Sequence, residues 1–267
     1  MHKYVFFLIL VSCCYGLFAR QVNFGPGGAL QVSSISHEKT EDMIEFRINS
    51  FYTDTINIEG KNYSRIYFPG ASIWLEKGYP ALPKYARGII IPDNGVMDFQ
   101  VVEIECETLK IAPVIPSKGN LLRSVNPDEI PYEESEFYSK DEWFPKNIVQ
   151  LSEPYILGDF RGITIKFNPF QYNPARGILD IVKRVIIKVY RKGPGGKNVF
   201  TRSRQRIARA WREVYGSQFL NFQEVISKDY PFLEEAPGRM LIITAVSYTH
   251  LRAHETSLHL VCRLLLE

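Results

Sequence analysis

Apolar and polar residues alternate in several short runs of the chain, with the period of two that is typical of half-buried β-strands. The clearest runs are ITIKF at Ile163–Phe167 and VIIKV at Val185–Val189. Between them lies Asn173–Gly177, where proline presets one backbone dihedral and glycine accepts a positive one, so the chain can reverse there. The pattern predicts a long hairpin of these two strands inside an all-β domain.

The N-terminal half carries further runs of this kind. In Met43–Ile48 the alternation places Ile44, Phe46 and Ile48 on one face. A second run, Phe99–Ile111, contains Cys106 on the same face as two apolar neighbours, with glutamates on the other face. This pattern predicts an inert core cysteine whose pKa is raised by its apolar, acid-flanked setting.

The segment Ala112–Pro145 shows no sustained period and holds five prolines. It is therefore predicted to be a long, mostly irregular excursion, and such loops are usually functional or disordered. Its aromatic residues, among them Tyr132 and Trp143, argue against disorder.

Apolar residues recur every three or four positions from Ile207 to Phe222, which predicts one C-terminal amphipathic helix. Five arginines crowd its start between Arg202 and Arg212. Two interpretations stay open for them: a solvated face, or sites of proteolytic processing with Arg206 as the candidate. No stacking aromatics are interleaved with them and the net charge is only +3, so no nucleic-acid partner is predicted.

Both ends of the chain differ from the middle. Residues 1–19 have the charged start and short apolar stretch of a secretory signal, too short for a stable membrane span, so the protein is expected to be exported and either secreted or held on a bacterial surface. Cleavage after Ala19 is one outcome, and a lipid on Cys13 is the alternative. At the other end, residues 229–245 resemble a linker and the first buried strand of a new domain. Residues 246–267 are interpreted as a non-native tail that resembles translated adapter sequence.

The chain offers little chemistry of its own. It has 267 residues, of which 45% are hydrophobic, which is enough for one all-β domain without disulfides. It contains no Gly-rich phosphate loop, no GxSxG and no HExxH. The lone His37 lies in a polar stretch and is predicted to be a surface residue. No catalytic residue, metal site or cofactor is predicted, and the chain as given is not expected to be an enzyme.

Several stretches together carry a resemblance to a known family. They are GYPALP at Gly78–Pro83, EPYILGDFRG at Glu153–Gly162, PFQYNP at Pro169–Pro174, FLNF at Phe219–Phe222 and GRMLII at Gly238–Ile243. In this order they resemble the N-terminal propeptide of gingipain-type cysteine proteases. The resemblance implies an antiparallel β-sandwich prodomain over residues 20–228 that lies beside a catalytic domain of the same chain and blocks its cleft until it is removed.

The resemblance also assigns roles to residues. In the family a basic residue from a prodomain loop enters the specificity pocket of the protease, and the matching position is Arg123. The junction with the catalytic domain matches Ser227–Tyr230, so Lys228 is the candidate processing site, where this chain departs from an arginine. The cognate protease domain is the implied partner.

A different class of protein also fits an all-β chain rich in aromatic residues. A surface adhesion or carbohydrate-binding β-sandwich would present an exposed aromatic patch, for which Trp74, Trp143 and Tyr132 are the candidates. Such a protein would need no protease partner.

Overall fold

The fold is built mainly from antiparallel strands, with two helices near the C-terminal end of the described part. The computed structural model describes residues 19–203, 206–230 and 234–236. The strands are β1 (Arg20–Asn23), β2 (Leu30–Glu38), β3 (Glu41–Ile48), β4 (Ser50–Ile58), β5 (Lys61–Tyr67), β6 (Ser72–Ile73), β7 (Pro83–Ile90), β8 (Val96–Lys110), β9 (Val149–Leu151), β10 (Tyr155–Leu157), β11 (Phe160–Phe167), β12 (Phe170–Asn173), β13 (Ile178–Gly193), β14 (Arg206–Ala208) and β15 (Glu234–Ala236). The helices are α1 (Arg209–Gln218) and α2 (Phe222–Lys228).

Two five-stranded antiparallel sheets and one smaller sheet form the body of the domain. The first sheet has the order β12-β13-β3-β2, and β8 also pairs with β13. The second has the order β10-β11-β7-β6, and β9 also pairs with β11. Strands β1, β4 and β5 form the third sheet, while β14 and β15 pair in parallel. The predicted all-β antiparallel class is confirmed.

The two large sheets share one hydrophobic core, as a sandwich requires. Phe46 of the first sheet contacts Phe167 of the second, with ring centroids 4.9 Å apart. Ile44, Phe46 and Ile48 are all buried, so the predicted inner face of this strand is confirmed. Burying one such side chain contributes about 1.5–3 kcal/mol, so this face is a main source of stability.

The predicted pairing of Ile163–Phe167 with Val185–Val189 is wrong. Ile163–Phe167 lies in β11 and pairs with β7 and β9, whereas Val185–Val189 lies in β13 and pairs with β3 and β8. After β11 the chain crosses to the other sheet at Pro169, whose carbonyl accepts a hydrogen bond from the Val182 N–H at 2.8 Å. Proline lacks an N–H and cannot continue a strand ladder, so the crossing occurs there.

The predicted turn at Asn173–Gly177 does reverse the chain, but it joins β12 to β13. The Gly177 N–H donates to the Pro174 carbonyl at 3.2 Å, and Gly177 has a positive φ of 62°. Turn chemistry therefore located the reversal correctly, while the partner strands depended on contacts outside the turn.

Cys106 is exposed rather than part of the core. It lies on β8, which among the described strands pairs only with β13 and so forms an edge of the first sheet. Ile104, two residues away, is 43% exposed. Both faces of β8 are exposed from Gln100 to Thr108, and its pairing with β13 is interrupted by irregularities, so the predicted buried apolar face is wrong. Partial desolvation of the thiol, together with Asp180 and Glu105, raises the pKa of Cys106, in the predicted direction.

The predicted single helix is divided into α1 and α2 by Phe219–Asn221. The Leu220 N–H donates to the Gly88 carbonyl at 2.9 Å, and Asn221 binds the backbone of Ile90 through both ends of its side-chain amide. Because these hydrogen bonds are made to β7, Leu220 and Asn221 cannot continue the helix, and both helices are fixed against β7. No helix in the described residues is long and apolar enough to cross a membrane.

Candidate functional site

The excursion Ala112–Pro145 starts from a fixed point on the third sheet. The Ile115 N–H donates to the Ser64 carbonyl at 2.9 Å, and the Ser64 N–H donates to the Pro113 carbonyl at 2.7 Å. The start of the excursion thus lies alongside β5 and pairs with it in parallel at Ser64 and Val114. Beyond it the only regular structure within the excursion consists of two short 3-10 helices at Pro127–Glu129 and Glu136–Ser139, so the predicted irregular loop is confirmed.

Aromatic packing holds the second half of the excursion in place. Phe137 stacks on Tyr79 with ring centroids 5.2 Å apart, and it also contacts Phe144. The Tyr138 hydroxyl donates to the Val114 carbonyl at 2.6 Å. Phe137, Tyr138 and Phe144 belong to the aromatic residues of the excursion that argue against disorder, and they anchor the loop to the core.

Arg123 lies at the tip of the excursion, at a corner of a four-residue turn. The Val125 N–H donates to the Leu122 carbonyl at 3.0 Å and closes the turn. The side chain of Arg123 is exposed, and no described residue makes a hydrogen bond or ion pair with its guanidinium. A charged group on a turn corner, without a partner within the described chain, is available to a second protein surface.

Hydrogen bonds and a cation–π contact fix the chain before and after this tip. The Lys118 ammonium donates to the Pro127 carbonyl at 2.7 Å and lies 4.1 Å from the centre of the Tyr132 ring. Asn126 caps the following 3-10 helix by accepting the Asp128 N–H at 3.1 Å. These contacts order the base of the tip before any partner binds, which reduces the entropy cost of binding.

An apolar groove lies beside the tip. It has a volume of about 280 Å³ and is lined among others by Ile73, Leu75 and Leu121. Leu122, next to Arg123, is 74% exposed. The groove is also lined by Arg65 and Lys118, and exposed apolar groups that lie among charged ones are typical of a protein–protein contact.

The stretch LGDFRG at Leu157–Gly162 receives the two C-terminal helices. A Cβ at Gly162 would lie 2.5 Å from a ring carbon of Phe219, and one at Gly158 would lie 2.1 Å from the Tyr215 hydroxyl. Phe160 packs edge-to-face on Tyr215 with centroids 5.0 Å apart. Gly158 and Gly162 are therefore required by the close approach of Tyr215 in α1 and of Phe219 just after it.

Tyr215 joins the same stretch by hydrogen bonds as well as by packing. Its hydroxyl donates to the Asp159 carboxylate at 2.8 Å and accepts the Asp159 N–H at 3.0 Å. Burial, reinforced by the hydrogen bond to this carboxylate, raises the pKa of Tyr215, so the hydroxyl stays protonated. The helix is thereby fixed in register on the sheet.

Arg161 is fully buried within this stretch. Its guanidinium donates to three backbone carbonyls: to Pro92 at 2.8 Å, to Gly95 at 2.9 Å, and to Lys197 at 2.7 Å and 3.2 Å. It thus joins the turn between β7 and β8 to the loop after β13. Burial lowers its pKa, because the charged form is deprived of hydration there.

The predicted processing residues lie in different settings. Lys228 is the last residue of α2, and its ammonium donates to the His37 carbonyl at 2.8 Å. Arg206 lies in β14, where its backbone is in register with Glu234 of β15. Ala19 directly precedes β1. Cys13, residues 1–18, the strand predicted at Gly238–Ala245 and the tail from Val246 lie outside the described residues.

The prediction that His37 is a surface residue is wrong, because its side chain is buried near the predicted processing junction. His37 Nδ1 lies 2.7 Å from Asp42 Oδ1, and Nε2 lies 3.3 Å from Asp229 Oδ2. Asp229 is 192 residues away in the chain. No local pattern could have indicated this contact, and sequence reasoning did not find this cluster.

The aromatic residues proposed for glycan binding make contacts with other residues of the domain. Trp74 is half-buried against the core, with its ring 5.5 Å from Phe144 and its indole N–H donating to Asn168 at 3.2 Å. Trp143 is half-buried too. Tyr132 is 40% exposed, but the Lys118 ammonium covers its ring at 4.1 Å from the ring centre. None of these contacts favours a glycan-binding platform.

Comparison with known proteins agrees with the resemblance seen in the sequence. The model of the Propeptide_C25 family matches residues 25–228. The chain belongs to this family. Gingipain R2 of Porphyromonas gingivalis is 32% identical over 219 residues, which cover 82% of this chain and 29% of that protein. Gingipain R1 of the same organism is 29% identical over 93% of this chain and 14% of that protein.

The fold also matches solved propeptide structures. A complex of the pro- and mature domains of Porphyromonas gingivalis RgpB contains a chain that superimposes with a TM-score of 0.67 and 29% identity, covering 73% of this chain and 97% of that one. A structure concerned with the zymogenic latency of gingipain K matches with a TM-score of 0.58 at 15% identity and shows likeness of fold alone.

This Propeptide_C25 chain spans less than a third of the length of the curated relatives it matches. The matched residues are those of a propeptide of a cysteine protease, not of a catalytic domain, so this part is not itself catalytic, as the sequence predicted.

Proposed function

We propose that this propeptide blocks the active-site cleft of a gingipain-type cysteine endopeptidase, and assists its folding, until proteolysis removes it. The cognate catalytic domain, joined to it in one precursor, is its partner. The observation that carries the proposal is the position of Arg123: an exposed guanidinium on a turn corner, free of partners among the described residues, on a loop anchored at both sides.

Arg123 has the chemistry that a protease specificity pocket for basic side chains would bind. A guanidinium can satisfy a pocket carboxylate with two parallel hydrogen bonds, which an ammonium cannot do. Because the loop is already fixed, the side chain can enter a pocket at little cost in conformational entropy. The neighbouring groove and Leu122 offer apolar area that would exclude water around this contact.

The remaining parts of the proposal concern export and removal. Export follows from the signal-like residues 1–19, with cleavage after Ala19 or lipidation of Cys13 as the two routes. Removal would occur after Lys228, with Arg206 as an additional site. The solved complex of the pro- and mature domains of RgpB supports a pairing of this kind.

Inhibition by the purified chain tests the proposal. The inhibition constant is measured against the mature domain of Gingipain R2 with a peptide substrate. Arg123→Ala is expected to weaken inhibition by about 2–4 kcal/mol, the scale of a hot-spot arginine, or roughly 30- to 1000-fold. Lys140→Ala is the matched control, since it removes an exposed cation from the same excursion but not from the turn.

The two variants separate a specific contact from a general charge effect. Equal, slight losses of inhibition in both would indicate only non-specific attraction. Unchanged inhibition by Arg123→Ala would overturn the assignment of Arg123, and no inhibition by the unaltered chain would overturn the inhibitory function.

A further inference from the structure

The proposed cleavage point is folded into the end of a helix. The Asp229 N–H donates to the Val225 carbonyl at 2.9 Å, and the Tyr230 N–H contacts the same carbonyl at 3.3 Å. The Lys228 side chain, which a protease would have to take into its specificity pocket, is bound to the His37 carbonyl. An endopeptidase cuts the transiently opened form of such a segment, so whatever holds this turn closed sets the rate of cutting.

The turn is held by the buried His37 at the end of the β2–β3 hairpin. Both ring nitrogens lie within hydrogen-bonding distance of a carboxylate, Nδ1 of Asp42 and Nε2 of Asp229. Asn221, immediately before α2, also donates to Asp42 Oδ1 at 3.0 Å. The hairpin is therefore connected to both the start and the end of α2.

Only the protonated ring can make both bonds to the carboxylates. An imidazolium donates from both nitrogens, whereas neutral imidazole donates from one and presents a lone pair at the other. Asp42 is almost fully buried and its bond is the shorter, so it keeps the remaining N–H when the ring is deprotonated. Deprotonation therefore breaks the hydrogen bond between His37 and Asp229, at the junction.

We propose that His37 is a latch that keeps the Lys228–Asp229 junction closed to processing while its ring is protonated and releases it when the proton leaves. This inference rests on the proposed function only in taking Lys228 as the processing site. Among the described residues, the charged groups that face His37 are Asp42 from β3, and Asp229 and Lys228 from the end of α2.

The direction of the pH dependence follows from the surroundings of His37. The hydrogen bond to Asp42, against the opposing effect of burial, raises the pKa of His37 above its ordinary value of 6.5. A raised folded-state pKa means that the stabilisation is fully present below the ordinary value and is lost as pH rises through the folded-state value. The junction is therefore expected to be closed in acid and to open towards alkaline pH.

The test measures cutting at Lys228 by an unrelated lysine-specific endopeptidase between about pH 5.5 and about pH 9, across the range where histidine titrates. The full chain is used, fragments ending at Lys228 are quantified by mass spectrometry, and rates are divided by those of an unstructured peptide with the same junction sequence. The normalised rate is expected to rise roughly tenfold across this range, the scale of one charge-assisted hydrogen bond.

Two variants make the test decisive. His37→Gln removes the titrating ring, and Asp229→Asn leaves the His37–Asp42 pair intact while removing the charged partner at the junction. Both should be cut rapidly at low pH with little pH dependence, each compared with a peptide carrying its own junction sequence. Asp229→Asn answers the question even if His37→Gln fails to fold.

A normalised rate that does not change with pH in the unaltered chain would overturn the latch, as would Asp229→Asn that is cut as slowly as the unaltered chain at low pH. Neither result bears on inhibition of the cysteine protease, because the cutting enzyme here is unrelated to it. Loss of inhibition in the Arg123 experiment would in turn leave the latch unaffected.

Discussion

Replacing Arg161 by methionine should reveal how much of the domain's stability depends on one buried guanidinium. The side chain is fully buried and donates to the carbonyls of Pro92, Gly95 and Lys197. Methionine preserves much of the apolar stem but none of the donors. Hydrogen bonds made by a charged group contribute about 1.5–3 kcal/mol each.

Two corrections reduce the simple sum of these bonds. The first is that the Lys197 carbonyl lies in an exposed loop, so water can replace its lost hydrogen bond. The carbonyl of the buried Gly95 would stay without a partner, so its loss counts in full. In addition, removing a buried charge recovers its desolvation cost. We therefore expect Arg161→Met to reduce the free energy of unfolding by about 3–5 kcal/mol, a large part of the total stability of an ordinary domain.

Urea unfolding followed by tryptophan fluorescence measures this destabilisation through the transition midpoint and slope. Arg176→Met is the matched control: that arginine is exposed and pairs with Asp141 at the surface, so a clearly smaller destabilisation is expected. If Arg161→Met is destabilised no more than Arg176→Met, the guanidinium does not hold the two loops together and the reasoning fails.

Two further predictions concern β11 and β8. Gly162→Ala places a Cβ 2.5 Å from a Phe219 ring carbon and should lower the free energy of unfolding in urea by about 1–3 kcal/mol. Gly193→Ala, with open space around its Cβ, is the control, and equal effects of the two variants would contradict the close approach. Cys106 is exposed but its thiol pKa is raised, so iodoacetamide should alkylate it more slowly at neutral pH than it alkylates an unstructured cysteine peptide, and the rate should rise towards alkaline pH. Alkylation as fast as that of the peptide would refute the raised pKa.

Local sequence patterns predicted the strands well because alternation is a property of neighbouring residues. Ile44, Phe46 and Ile48 are buried on one face as expected, and Asn173–Gly177 forms the expected turn. The same patterns could not assign strands to sheets. β11 and β13 both alternate, but which edge each one meets depends on pairings with β7 and β3, which lie far away in the chain.

The contacts around the proposed junction could not be predicted from local sequence patterns either, because their partners are far apart in the chain. His37 and Asp229 are 192 residues apart and meet only because α2 docks beside the β2–β3 hairpin. Arg123 was found in the sequence through the family resemblance, not through its own surroundings. The structure adds what the resemblance lacked: the closed turn, the anchored base and the absence of a partner for Arg123 among the described residues.

The two devices proposed for this propeptide are held by different parts of the domain. The Arg123 loop is anchored to the third sheet through Ser64 and to the core through its aromatic residues, while the junction is tied to the β2–β3 hairpin through His37. Cutting after Lys228 would break none of the contacts that shape the loop. If both proposals hold, cleavage and release are separate steps: the latch would set when the chain is cut, and the Arg123 contact would set how long the cut propeptide stays bound.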